Sequence, residues 1–240
     1  MKNFSIILST VAIIIAAVAV INSSKVKNSG ISEEAVAEIL SNNPKMIVDA
    51  LQAYQEQQRA EQEKAAAEAI ARLAPEINDS SYAPFIGPKD AKVTVVEFFD
   101  FSCGYCKMLA PTIEAVIEKN PDVKFVFKSL SFVSPVSSYQ AKGAIAADKQ
   151  GKFAEFYKEV MGAEGRMSEA EVDEVAKKIG LNFDKFKTDM ASEATEQSLN
   201  SIAELSSKAQ INGVPTVFIN VNQVSASVPE YLQKAIDGEK

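Results

Sequence analysis

The sequence predicts an α/β protein with a parallel strand pair, a helical insertion within the sheet and an N-terminal helical extension. Two observations carry this. Residues 93–99 (VTVVEFF) and 123–127 (VKFVF) are β-branched and aromatic runs too short for core helices, and a helical stretch, 103–119, lies between them. Strand, helix and strand in that order form a crossover unit. Residues 137–210 are then helical in pattern before a last alternating stretch, 216–221.

The elements follow in order from the N-terminus. After Lys2, residues 4–21 carry no charge over about the length needed to cross a hydrocarbon core. Such a terminal run, apolar on every face, is an export signal rather than a buried helix. Ala17-Val18-Ala19 has the small-residue pattern of a signal-peptidase site, whereas the length of the run and Lys25 with Lys27 behind it suit an uncleaved membrane anchor. Either way, residues 31–240 are expected outside the cytoplasm.

A polar connector, 22–30, leads to a helical region, 31–74. Ser32 with Glu33 and Glu34 behind it matches a capped helix start, and Asn42-Asn43-Pro44 interrupts the pattern. Pro44 suits the first turn of a second helix, which is expected to run to about Leu73 and to be ended by Pro75. Ile47, Leu51, Tyr54, Gln58, Glu61 and Ala65 follow a 4-3-4-3-4 spacing, the outline of a seam with a second copy of the chain. Gln58 and Glu61 weaken that seam, so a solvated stalk or a helix packed on its own domain stands beside homo-oligomerisation through residues 32–73.

Residues 75–90, with Pro75, Pro84 and Gly87-Pro88, read as a linker, and a compact domain is expected over 91–240. Within its helical insertion, about 137–210, breaks fall at Gly151, at Gly162 to Gly165, at Gly180 and near Ser192. A closing helix is expected over 229–236.

Composition narrows the chemistry. The net charge of −7 and the absence of any Lys/Arg cluster argue against nucleic acid as a partner. With no histidine, the chain has no Ser-His-Asp triad, Cys-His dyad or His-ligated metal site. The two cysteines stand three apart, after a strand and at the start of a helix, where backbone N–H groups and the helix dipole stabilise an anion. Cys103 is the candidate nucleophile. Cys106, one turn on, is placed to resolve the mixed disulfide that a thiolate attack creates. A stapling disulfide and a two-thiolate copper(I) site are the competing readings. The first would close too small a loop to stabilise much, and the second lacks further ligands. No metal site and no cofactor is assigned.

The stretch Val95-Val96-Glu97-Phe98-Phe99-Asp100-Phe101-Ser102-Cys103-Gly104-Tyr105-Cys106 closely resembles the DsbA-like branch of the thioredoxin superfamily, and Gly213-Val214-Pro215-Thr216 resembles its cis-proline loop. The resemblance runs from about Ala91 to Ile236, insertion included. It implies a thioredoxin fold, with Cys103 attacking, Cys106 resolving and Pro215 cis beside them. Val214, Gly104 and Tyr105 are then expected to meet substrate. It also gives Glu97 the role of exchanging a proton with Cys106, for which burial would have to raise its pKa. A Glu97 turned to solvent or to a lysine is the alternative. Pro111 inside the active-site helix is structural in the same family.

The direction of the chemistry is split. Gly104-Tyr105 resembles the dipeptide of the isomerase DsbC rather than the Pro-His of DsbA, while Val214 before Pro215 resembles DsbA. The N-terminal helices resemble the extensions by which isomerases and ScsC-like proteins join catalytic domains. The expectation is a periplasmic disulfide isomerase or reductase-like shuffler acting on exported proteins. A DsbA-type dithiol oxidase is the alternative, and a periplasmic copper(I)-binding or redox-protection protein is the alternative of another class. A membrane redox partner of the DsbB or DsbD type is implied in either enzymatic case.

Overall fold

The computed structural model describes residues 32–226 and 228–240, so the apolar segment at 1–21 and its cleavage or anchoring lie outside the described residues. The chain divides into two units at the Ala60/Glu61 boundary. In the first, α1 (Glu33–Asn42) is capped by the Ser32 hydroxyl, which accepts from the Ala35 N–H at 3.2 Å. It stops at Asn43, and α2 (Pro44–Asn78) begins at the proline, whose missing N–H costs nothing in a first turn. Val36, Ile39, Leu40, Met46, Ile47, Val48, Leu51 and Tyr54 are all exposed. The proposed seam residues Ile47, Leu51 and Tyr54 are among them.

Pro75 does not end α2. The helix continues to Asn78 with Pro75 inside it. Ile77, in that last turn, is fully buried with Val96, Phe98 and Phe218, and this burial outweighs the hydrogen bond that a proline removes. The linker expected at 75–90 differs too: it carries β1 (Phe85–Ile86), antiparallel to β3 (Lys124–Ser129). Gly87, at φ +101°, lets the backbone come so close that a Cβ there would lie 2.1 Å from the Val123 carbonyl oxygen.

The sheet has five strands in the order β1-β3-β2-β4-β5, with β2 at Thr94–Phe99, β4 at Thr216–Ile219 and β5 at Asn222–Val224. The β2–β3 pair is parallel, as its crossover helix α3 (Gly104–Lys119) requires, and the other pairs are antiparallel. The last strand is shorter than expected: Asn220, at φ 54°, turns the chain into a hairpin with β5. All six residues of β2 are buried. Alternation sends Val95 and Phe99 into one core cluster, with Cys103, Cys106 and Tyr157, and sends Val96 and Phe98 into the other, with Ile77, Ile202 and Leu205. A continuous apolar run is what such a two-sided burial demands.

The insertion folds as α4 (Ser137–Asp148), α5 (Phe153–Gly162), α6 (Glu169–Lys178), α7 (Phe183–Met190) and α8 (Glu193–Lys208), breaking where the glycines and Ser192 stand. Ser168 and Glu171 form a reciprocal capping box, and Asn182 and Ser192 cap the next two helices. Helix α9 (Pro229–Asp237) closes the domain. The observed class is therefore the expected α/β thioredoxin fold with a helical insertion and N-terminal helices. Among the described residues, no helix is long and apolar enough to cross a membrane.

Candidate active site

The strand β2 delivers the chain into a tight turn, Asp100 to Ser102, and Cys103 is the N-cap of α3. The Cys103 N–H donates to the Asp100 carbonyl at 2.9 Å, and the Cys103 carbonyl accepts from Lys107 at 3.0 Å, so both sides of its backbone are fixed. Its thiol is 9% exposed and points at the Val214 carbonyl oxygen, 3.6 Å away. The Val214–Pro215 peptide bond is cis. The loop that precedes β4 and the cysteine turn that follows β2 meet because β2 and β4 are antiparallel neighbours, Phe98 opposite Thr216.

Cys106 is wholly buried, one turn into α3. Burial pushes its thiol pKa well up; a hydrogen bond from the Asp100 backbone offsets part of this, while Glu97 and Cys103 add to the rise. Glu97 lies on the same sheet face, 2% exposed. Its Oε2 accepts from the Tyr157 hydroxyl at 3.1 Å, and its Oε1 has no hydrogen-bond partner. Burial raises its pKa to about 8, against a smaller pull downward from Tyr157. Glu97 therefore meets neither solvent nor a lysine. It is a carboxyl group able to hold or release a proton near neutrality.

Gly104 and Tyr105 form the outer edge of the site. Nothing lies within 4 Å of where a Gly104 Cβ would stand, and Tyr105 is 73% exposed. Tyr105, Met108 and Leu109 on α3 face Pro215, Val217, Val224 and Ala226 across a groove of about 370 Å³. The groove is mostly apolar and begins beside the cysteines, a shape suited to a polypeptide segment with apolar side chains.

Several residues around the site escaped the sequence reading. Asp100 is fully buried and its carboxylate accepts four hydrogen bonds. Ser102 Oγ donates to Gln140 Oε1 at 2.8 Å. Lys107 Nζ donates to the carbonyls of Ala163 and Gly165, 2.7 Å each, binding the α5–α6 loop to the active-site helix. Tyr157 comes from the insertion, far from Glu97 in sequence. Only Asp100 left a signal, a charge at the end of an otherwise apolar strand.

A dithiol at a helix N-terminus, facing a cis-proline loop across a mixed sheet, defines a protein of the thioredoxin class. Comparison with known proteins gives the family: the profile described as Thioredoxin matches residues 79–238, and the chain belongs to that family. It is 29% identical over 168 residues to the probable disulfide bond formation protein D of Bacillus anthracis, covering 64% of this chain and 76% of that protein. A thioredoxin-like oxidoreductase from Silicibacter pomeroyi superposes with a TM-score of 0.63 at 28% identity, covering 70% of this chain and 96% of the other. The chain is also 28% identical over 136 residues, 56% of its length, to the Na(+)/H(+) antiporter NhaA 3 of Salinispora tropica, of which it spans 21%.

Proposed function

We propose that this chain is an exported, periplasmic thiol-disulfide oxidoreductase that acts on protein disulfides through Cys103 and Cys106, chiefly as an isomerase or reductase-like shuffler. The observation that carries the reading is the asymmetry of the pair: Cys103 keeps a small exposed edge, 9%, and faces the Val214 carbonyl of the cis-proline loop, whereas Cys106 is sealed in the core near Glu97.

The chemistry follows from that asymmetry. The Cys103 thiolate attacks one sulfur of a substrate disulfide, forming a mixed disulfide and releasing the other substrate sulfur as a thiolate. If that thiolate attacks elsewhere in the substrate and a substrate thiolate then returns to the mixed disulfide, Cys103 leaves unchanged and no net electrons move. If Cys106 instead attacks Cys103, its proton passes to Glu97, the second substrate thiolate leaves, and two electrons have gone to the substrate. Val214 and Pro215 offer substrate a backbone edge, and Gly104, Tyr105 and the groove meet its side chains. Gly104-Tyr105 supports the shuffling direction, and a membrane reductase of the DsbD type would keep the pair reduced.

Val214 before Pro215 favours a second reading, a DsbA-type dithiol oxidase recharged by a DsbB-type partner. Purified protein separates the two. A shuffler refolds a substrate with scrambled disulfides, and Cys106→Ser accumulates mixed disulfides with it. Rapid oxidation of reduced substrates with no refolding of scrambled ones would establish the oxidase instead.

The N-terminal unit would join catalytic domains into a homo-oligomer. Eight large apolar side chains exposed on α1 and α2 support this, a density unusual for a solvated helix. Joined domains hold several thiols at one substrate. Light scattering of Val48→Glu/Leu51→Glu against the unsubstituted chain tests it: a mass that falls to the monomer is expected, and an unchanged mass rejects the interface.

A further inference from the structure

Asp100 anchors the redox turn. Its carbonyl accepts the Cys103 N–H at 2.9 Å. Its carboxylate reaches the three segments that surround the pair. Oδ1 accepts from the Ser102 N–H at 2.8 Å and the Ser137 hydroxyl at 2.7 Å; Oδ2 accepts from the N–H groups of Phe132 and Val133 at 3.1 and 3.0 Å. All four partners donate, so both carboxylate oxygens serve as acceptors that tie these segments together. No lysine or arginine pairs with it among the described ion pairs.

We propose that Asp100 is a positioning residue that sets the equilibrium between the dithiol and disulfide forms of Cys103 and Cys106, holding it toward the disulfide. This rests on the redox reading above. A turn fixed by four hydrogen bonds keeps the second sulfur at high effective concentration, which favours the bond between the two sulfurs and makes the pair less oxidising.

The equilibrium to measure is protein dithiol plus glutathione disulfide giving protein disulfide plus two glutathione thiols, which balances in electrons and protons. The full chain is equilibrated in glutathione buffers of graded ratio, and its melting temperature is taken in each form. Asp100→Asn, which keeps the shape but sets an amide NH2 against groups that donate and so breaks anchoring bonds of the turn, is expected to move the equilibrium about tenfold toward the dithiol, roughly 30 mV more positive in potential. Ser137→Ala keeps the charge and removes one anchoring bond; a shift of about two- to threefold in the same direction is expected. An Asp100→Asn protein that folds but keeps the wild-type potential, or moves to a more negative one, overturns the assignment. If Asp100→Asn does not fold, Ser137→Ala decides, and an unchanged potential there overturns it. A wild-type pair that does not exchange with glutathione at all would instead sink the redox reading on which the proposal rests.

Discussion

The Tyr157 hydroxyl donates to Glu97 Oε2 across 3.1 Å, so the helical insertion supplies the hydrogen-bond partner of a carboxyl group on the central strand. Both residues are buried, and Tyr157 packs edge-on against Phe99 at 5.6 Å between ring centroids. With a pKa raised to about 8 by burial, Glu97 is mostly protonated at neutral pH. Its basic form grows about tenfold per pH unit until that value is reached. Resolution of a mixed disulfide by Cys106 should therefore accelerate with pH and level off above about 8. In Glu97→Gln that limb should vanish and the neutral-pH rate fall by about a hundredfold. Stopped-flow decay of a preformed mixed disulfide between pH 6 and 10 checks this; a limb that persists in the variant rules out Glu97 as the proton acceptor.

Tyr157→Phe removes the one hydrogen bond that favours ionised Glu97. The Glu97 pKa should then rise further, and the same kinetic limb should move upward by about one pH unit. An unmoved midpoint would mean that the hydroxyl contributes packing alone.

Stability carries the sign of these shifts as well. For Glu97 the folded pKa of about 8 lies above the ordinary 4.5, so the folded state holds a proton that the unfolded chain has released between those values. Wild-type stability falls across that window as pH rises. Lys128 has the opposite arrangement. It is wholly buried on β3, donates to the Asp79 carbonyl at 2.8 Å and sits 4.2 Å over the Tyr82 ring. Burial lowers its pKa from 10.5 to about 7, so stability rises with pH between those values. Lys128→Met should thus be more stable than wild type by about 1–3 kcal/mol at pH 7 and below, with the gain fading toward pH 10. Chemical denaturation at pH 6, 7 and 9 measures the difference; a gain that grows with pH contradicts the assignment.

The sequence carried much of this site because its signals are local. Cys103 and Cys106 lie one helical turn apart, β2 is a β-branched and aromatic run broken only by Glu97, and the glycines interrupt helices while Ser192 caps the start of one, each by its own conformational preference. What it hid depends on contacts distant along the chain. Nothing near Tyr157 or Gln140 in sequence marks them as neighbours of Glu97 and Ser102, since α3 and β3, and for Tyr157 also α4, lie between the partners along the chain. Strand β1, two residues long, is below the length at which alternation is visible, and it exists because β3 offers an edge. Pro75 misled for a related reason: local propensity ends a helix there, and the tertiary burial of Ile77 extends it.

The groove beside the cysteines gives the last prediction. Met108 is 75% exposed and Tyr105 73%, so both side chains remain largely hydrated in the free protein and gain by being covered. Full burial of such a side chain is worth about 1.5–3 kcal/mol, and a partner lying along one side recovers roughly half of that, about a fivefold to tenfold effect on binding. A small disulfide such as oxidised glutathione is expected to depend mainly on Cys103 and the Val214 edge and little on the groove toward Val224 and Ala226. Met108→Ser and Tyr105→Ser should therefore raise KM for an apolar peptide disulfide by about fivefold to tenfold each, while exchange with glutathione disulfide stays within about twofold. Equal losses with both substrates would place the effect on Cys103 reactivity instead, because a change at the nucleophile cannot distinguish a long substrate from a short one.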